Sequence, residues 1–155
     1  SGFDVELYIA GSLDTGNRSS ISHEDLQNIQ SNPRIFCLDH VLDMRSLYAD
    51  VDIVVLPSWR EGLSRSLIEA ASMQRPIITT DVPGCRDVVV HGVSGLLVPP
   101  YDPNSLTLAI QLLIRNPLLA SRFGLNSRQK VVEEFQVALV NQGTLLTYSR
   151  LLGGV

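Results

Sequence analysis

The run Val51-Asp52-Ile53-Val54-Val55-Leu56, closed by Pro57 and followed by a helical pattern, constrains this chain more than any other stretch. A short, mostly apolar run of that kind suits a parallel strand covered on both faces. Pro57 ends it, because proline has no N–H to give to a ladder. From Gly62 onward, Leu63, Leu67, Ala70 and Ala71 fall on one side of a helix expected to run to about Gln74. A loop therefore leads from the carboxyl end of a strand into the first turn of a helix. Open α/β sheets bind their ligands at that place, and the free amides at a helix start attract phosphate.

Two glutamates frame this loop. Glu61 stands just before the expected helix, and Glu69 lies seven residues past Gly62. At 1.5 Å per residue that is about 10 Å along the axis, close to the azimuth of Gly62. A ligand with its phosphates on the first turn would meet Glu61 at one end and Glu69 at the other. A nucleotide sugar has that layout. The plainer reading stays open on spacing alone: Arg65 and Glu69 are four apart and could form an exposed salt link of little consequence.

The remaining chain alternates strands and helices. Strands are expected at Phe3–Ala10, Arg34–Leu38, Pro76–Thr79 and Gly95–Val98. Ser22 with Asp25 forms a capping box for a helix to about Gln30. Asp43 can cap a helix through Ala49 that buries Met44, Leu47 and Tyr48. Asp81-Val82-Pro83-Gly84 is turn chemistry, with a short helical turn at Cys85–Val89. Asp102-Pro103 opens a helix to about Arg115, and Asn116-Pro117 opens another to about Glu134. Gln136 to Leu152 reads as a terminal helix, and Ser12 to Ser20 as a loop. The fold class is thus α/β, a doubly wound parallel sheet with helices on both faces.

The chain has 155 residues, 45% apolar and 18% charged, which fits one globular domain. A formal net charge of −4 argues against broad nucleic-acid binding. Cys37 and Cys85 stand in apolar contexts and read as buried free thiols of a reducing cytosol. No stretch is long enough to span a membrane. His23, His40 and His91 are scattered without metal-ligand spacing. No nucleophile elbow, dinucleotide fingerprint or P-loop is present.

The run Pro57-Ser58-Trp59-Arg60-Glu61-Gly62-Leu63 continues through Ser66-Leu67-Ile68-Glu69-Ala70-Ala71. Further matching stretches are Arg75 to Arg86 and Gly92 to Pro100. Together they resemble the retaining GT-B glycosyltransferases of the group 1, GT4-type family, whose E-x7-E motif would be Glu61 and Glu69. The resemblance is dense from about Asp43 to Phe135. It implies the donor-binding, C-terminal half of a GT-B enzyme. In that role Glu61 contacts the transferred sugar as the catalytic residue, and Glu69 holds the ribose. The main-chain amides near Gly62, Leu63 and Ser64 receive the diphosphate, and His40 is a candidate for the base pocket. The substrate is a nucleoside-diphosphate sugar, UDP-linked by family frequency, with no cofactor and no required metal.

The resemblance also implies what the chain lacks. An N-terminal domain would hold the saccharide or lipid-linked acceptor. An Arg and a Lys expected before Phe3 would neutralise the diphosphate. Residues 1–155 then read as one donor domain, inactive alone, from a cytoplasmic bacterial enzyme of polysaccharide biosynthesis. Peripheral association with the inner face of the membrane is compatible with that setting. The sequence departs from the family pattern at Asp39 and Gln74, where Gly is frequent, and at Asp87, where Glu is usual. Two other readings compete: a GT-B nucleotide-sugar 2-epimerase, for which the matching His and Asp bases are missing, and a receiver-like binding module, for which Asp4 and Asp14 supply a poor acidic cluster.

Overall fold

The computed structural model describes residues 4–12 and 20–153, apart from the side chain of Ala138. The expected strand start at Phe3, Asp14 and most of the expected Ser12–Ser20 loop lie outside them. The elements group into two compact units, residues 1–44 and 45–155.

In the first unit, β1 (Leu7–Ala10) pairs in parallel with β2 (Ile35–Leu38), Leu7 opposite Ile35. Tyr8 stacks on Phe36 with ring centroids 5.0 Å apart. Helix α1 (His23–Gln30) begins with the expected capping box: the Asp25 amide donates to Ser22 Oγ, and the Ser22 amide donates to the Asp25 carboxylate. The Ser22 hydroxyl also donates to the Asp25 carboxylate, at 2.6 Å, and this bond first and the Ser22 amide second hold that carboxyl below its ordinary pKa.

In the second unit, β3 (Val54–Leu56), β4 (Ile77–Thr80) and β5 (Gly95–Val98) form a parallel sheet in that order. The long crossovers that parallel pairing needs contain α3 (Arg65–Ser72) and α4 (Pro83–Val88). Helix α2 (Met44–Asp50) precedes β3, while α5 (Pro103–Arg115), α6 (Pro117–Glu134) and α7 (Val137–Leu151) follow β5. The doubly wound α/β class read from the sequence is the one observed. On one side of the sheet Ile78, Leu96 and Val98 pack with Ala109 and Leu113 of α5 and Phe123 of α6. Leu67, Ala70, Ala71, Cys85 and Val88 are also buried, each at 1% exposure or less. Leu139 to Leu152 of α7 and its end are exposed.

Several expectations shift. Helix α3 starts at Arg65, not Gly62, because Ser64 is extended (φ −76°, ψ 107°) and its carbonyl accepts the first helical bond, from the Ile68 amide. Helix α4 starts at Pro83, two residues earlier than expected, since proline's fixed φ suits a first helical position. Cys85 is buried as expected, whereas Cys37 is only half-buried. Gln74, at φ 60°, completes the turn after α3 in the left-handed region. The Gln74 amide bonds the Ala71 carbonyl and the Arg75 amide bonds that of Ala70. That is a Schellman arrangement, which explains why glycine would be frequent there.

Candidate functional site

The loop from Pro57 to Ser64 is tied down along its length. Thr79 Oγ1, at the carboxyl end of β4, donates to the Leu56 carbonyl at 2.7 Å, and Thr80 Oγ1 donates to the Ser58 carbonyl. Ser58 Oγ donates onward to the Arg60 carbonyl. At the far end the buried Tyr48 hydroxyl donates to the Ser66 carbonyl in the first turn of α3, at 3.1 Å. The middle of the loop rests on α4. A Cβ placed on Gly84 would fall 1.5 Å from the Gly62 carbonyl oxygen and 2.6 Å from that of Glu61. The two peptides thus lie almost in contact with the Gly84 backbone.

That packing fixes which way the amides face. In a trans peptide the N–H points opposite to the C=O. With the Glu61 and Gly62 carbonyls turned toward Gly84, the Gly62 and Leu63 amides turn away from α4. Neither donates a hydrogen bond among the described residues. Ser64 is buried and occupies the N-cap position of α3, but its side chain makes no capping bond. The first amides of α3 are therefore left without a side-chain cap.

A hollow of about 480 Å³ opens on this loop, lined by Trp59, Arg60, Glu61, Gly62 and Pro83. Glu61 is half-buried in its wall. Trp59 is 54% exposed, and its ring lies 4.9 Å from that of Tyr101. It therefore braces the loop against another exposed aromatic. A second hollow, about 520 Å³, lies at the α5–α6 junction among Arg115, Asn116, Pro117, Leu118, Leu119 and Arg122. The first hollow is the candidate site. It joins a carboxylate to outward-facing amides at the carboxyl ends of the strands, whereas the second lies at a helix–helix turn and has no carboxylate in its lining.

The hollow brings Glu61 and Gly62 together but leaves Leu63, Ser64 and Glu69 outside its lining. Because α3 starts at Arg65, Glu69 is only four residues into the helix, about 6 Å along its axis instead of 10 Å. It is exposed and forms no salt bridge with Arg65 among the described residues. Glu69 lies near Tyr48, whose phenol is pushed above its ordinary value by burial first and by the Glu69 charge second. His40 follows β2 in the other unit and is exposed. His91 is structural: its Nδ1 accepts the Leu97 amide at 3.0 Å. Asp81, just before α4, accepts a bond from Arg86 in the last turn of that helix. The parts that Thr79, Thr80, Tyr48, Pro83 and Gly84 play in holding this loop were not read from the sequence. Only the Pro-Gly pair gave a signal there, and it read as a turn.

Residues 1–116 match the model of the family described as glycosyl transferases group 1. The chain belongs to that family. It is 34% identical over 139 residues to the capsular polysaccharide biosynthesis glycosyltransferase CapM of Staphylococcus aureus, covering 90% of this chain and 36% of CapM. Among solved structures it is similar to Anabaena HepE in complex with UDP, with TM-score 0.87 and 25% identity over 94% of this chain and 41% of HepE. It is also similar to a sucrose-phosphate synthase of Thermosynechococcus elongatus, with TM-score 0.83 and 27% identity over 95% of this chain and 38% of that protein. The chain thus spans less than half the length of these relatives. Its fold is the C-terminal half of a GT-B glycosyltransferase. No helix among the described residues is long and apolar enough to cross a membrane, and no three His, Cys, Asp or Glu side chains among them gather as a metal site would require.

Proposed function

We propose that this chain binds the nucleoside-diphosphate sugar for a retaining hexosyltransferase, with the acceptor held by a further domain. The observation that carries the reading is the loop at the end of β3. It presents the Gly62 and Leu63 amides, unbonded among the described residues, beside the Glu61-lined hollow. Membership of the glycosyl transferases group 1 family and the likeness to HepE, described with UDP, support it.

In this reading the diphosphate lies over the Gly62 and Leu63 amides and the start of α3, and the sugar enters the hollow against Glu61. Glu69 accepts the ribose hydroxyls, since a carboxylate suits two neighbouring hydroxyls through charge-assisted bonds. During transfer the bond from the anomeric carbon to the diphosphate oxygen breaks, and a bond to the acceptor oxygen forms on the same face. The nucleoside diphosphate leaves with the electron pair, and the acceptor's hydroxyl proton is released. Amides aimed at the leaving diphosphate act where charge grows in the transition state. No metal is assigned to this step. UDP is the donor nucleotide we favour, and polysaccharide assembly at the cytoplasmic side of the membrane the setting.

Calorimetric titration of the chain with UDP, GDP and ADP, and with their sugar conjugates, tests this. One base should bind selectively, and Glu69→Ala should weaken that nucleotide about tenfold or more, the loss of two bonds to a charged group. No binding by any nucleotide, or equal affinity in wild type and Glu69→Ala, would remove the assignment.

A further inference from the structure

We infer that Gly84, aided by Thr80, is a positioning residue that sets the direction of the amides in the loop after β3. This rests on the reading of that loop as the diphosphate site. Gly84 has no left-handed conformation to explain it; it lies at the second position of α4, in a fully right-handed turn. What requires glycine is space. A methyl group there would overlap the Gly62 carbonyl oxygen at 1.5 Å, the Gly62 carbonyl carbon at 2.5 Å and the Glu61 carbonyl oxygen at 2.6 Å. All three are main-chain atoms, so no side chain can swing aside to make room.

Helix α4 is the less yielding partner. Its Gly84, Cys85 and Val88 are buried, and Pro83 stiffens its first position. The middle of the loop, with Arg60, Gly62 and Leu63 exposed between its anchored ends, is the part that gives way. An added methyl group would push the Glu61–Gly62 peptides off α4 and rotate the Gly62 and Leu63 amides away from their common direction. Glu61 would move with them, since its own carbonyl is one of the contacts. Thr80 holds the same loop at another point by donating to the Ser58 carbonyl. Gly84 therefore touches no ligand in this account; it acts through the peptides that do.

A matched control exists in the molecule. A Cβ on Gly124, in α6, would meet the Gln74 carbonyl oxygen at 2.2 Å, a comparable main-chain overlap far along the chain from this loop. Gly84→Ala and Gly124→Ala should both lower the melting temperature. Only Gly84→Ala should weaken UDP binding in the folded protein, by tenfold or more. Trp59, the sole tryptophan, reports the loop without any ligand: its emission and acrylamide quenching should change in Gly84→Ala and stay at wild-type values in Gly124→Ala. Equal UDP affinity in Gly84→Ala and wild type, an equal affinity loss in both variants, or an unchanged Trp59 signal in Gly84→Ala would overturn the inference. Should Gly84→Ala fail to fold, Thr80→Val decides: severalfold weaker binding with an altered Trp59 signal supports the clamp, and wild-type behaviour in both overturns it. If the wild type binds no nucleotide, the functional reading falls while the Trp59 comparison still judges Gly84.

Discussion

Strands β1 and β4 are equally short, both pair in parallel, and both are mainly apolar or β-branched, yet their surroundings are opposite. Every residue of β4 is buried, with Ile77, Ile78 and Thr79 at 0% exposure. Every residue of β1 is exposed, with Leu7 at 47% and Ile9 at 37%. The difference lies in the cover. Helices α3, α5 and α6 all pack against β4. Among the described residues of the first unit, the cover comes from α1, which packs against β2 and buries none of its own residues. A parallel strand needs cover on both faces. An apolar run announces such a strand, but it does not say which helices supply the cover.

The largest test of this contrast is a pair of truncations. Ile78→Ala should cost about 3 kcal/mol, since it empties a site packed by α5 and α6. Leu7→Ala should cost less than about 1 kcal/mol, because much of that side chain is already in water. Urea unfolding followed by circular dichroism measures both, and similar costs would erase the distinction. A smaller effect belongs to the second unit alone. Tyr48→Phe removes the bond to the Ser66 carbonyl and should cost about 1 kcal/mol near neutral pH. The Tyr48 pKa is raised in the fold above its ordinary 10.0. Its contribution is therefore complete below pH 10 and is lost as the pH rises through the folded value. The deficit of Tyr48→Phe should accordingly shrink in alkali, while amide exchange in β1 and β2 stays at wild-type rates. A pH-independent deficit would mean that the phenol is not held neutral as described.

Much of this architecture was legible in the chain because local signals and global fold agree. The Asp102-Pro103 start of α5 and the Ser22–Asp25 box of α1 are short-range chemistry, and both elements begin there. The candidate loop was found because an apolar strand, a proline and a helical face follow one another within one crossover. Its details were less legible. The helix start was misplaced by three residues because Leu63 continues the apolar face, although Ser64 is held extended. The burial of Tyr48 was read correctly from helical spacing, but its bond to α3 spans 18 residues and leaves no mark in local pattern. Gly84 shows the same limit. A Pro-Gly pair signals a turn, whereas the contact that demands glycine comes from a peptide 22 residues away in the chain.

The central claim is that a diphosphate rests on the amides of the loop after β3. The most direct measurement is the amide spectrum of ¹⁵N-labelled protein during addition of UDP. The account predicts that the Gly62 and Leu63 resonances move most and that those of Leu118, Leu119 and Arg122, at the larger hollow, stay in place. Shifts confined to Arg115–Arg122, with Gly62 and Leu63 unmoved at saturation, would contradict it.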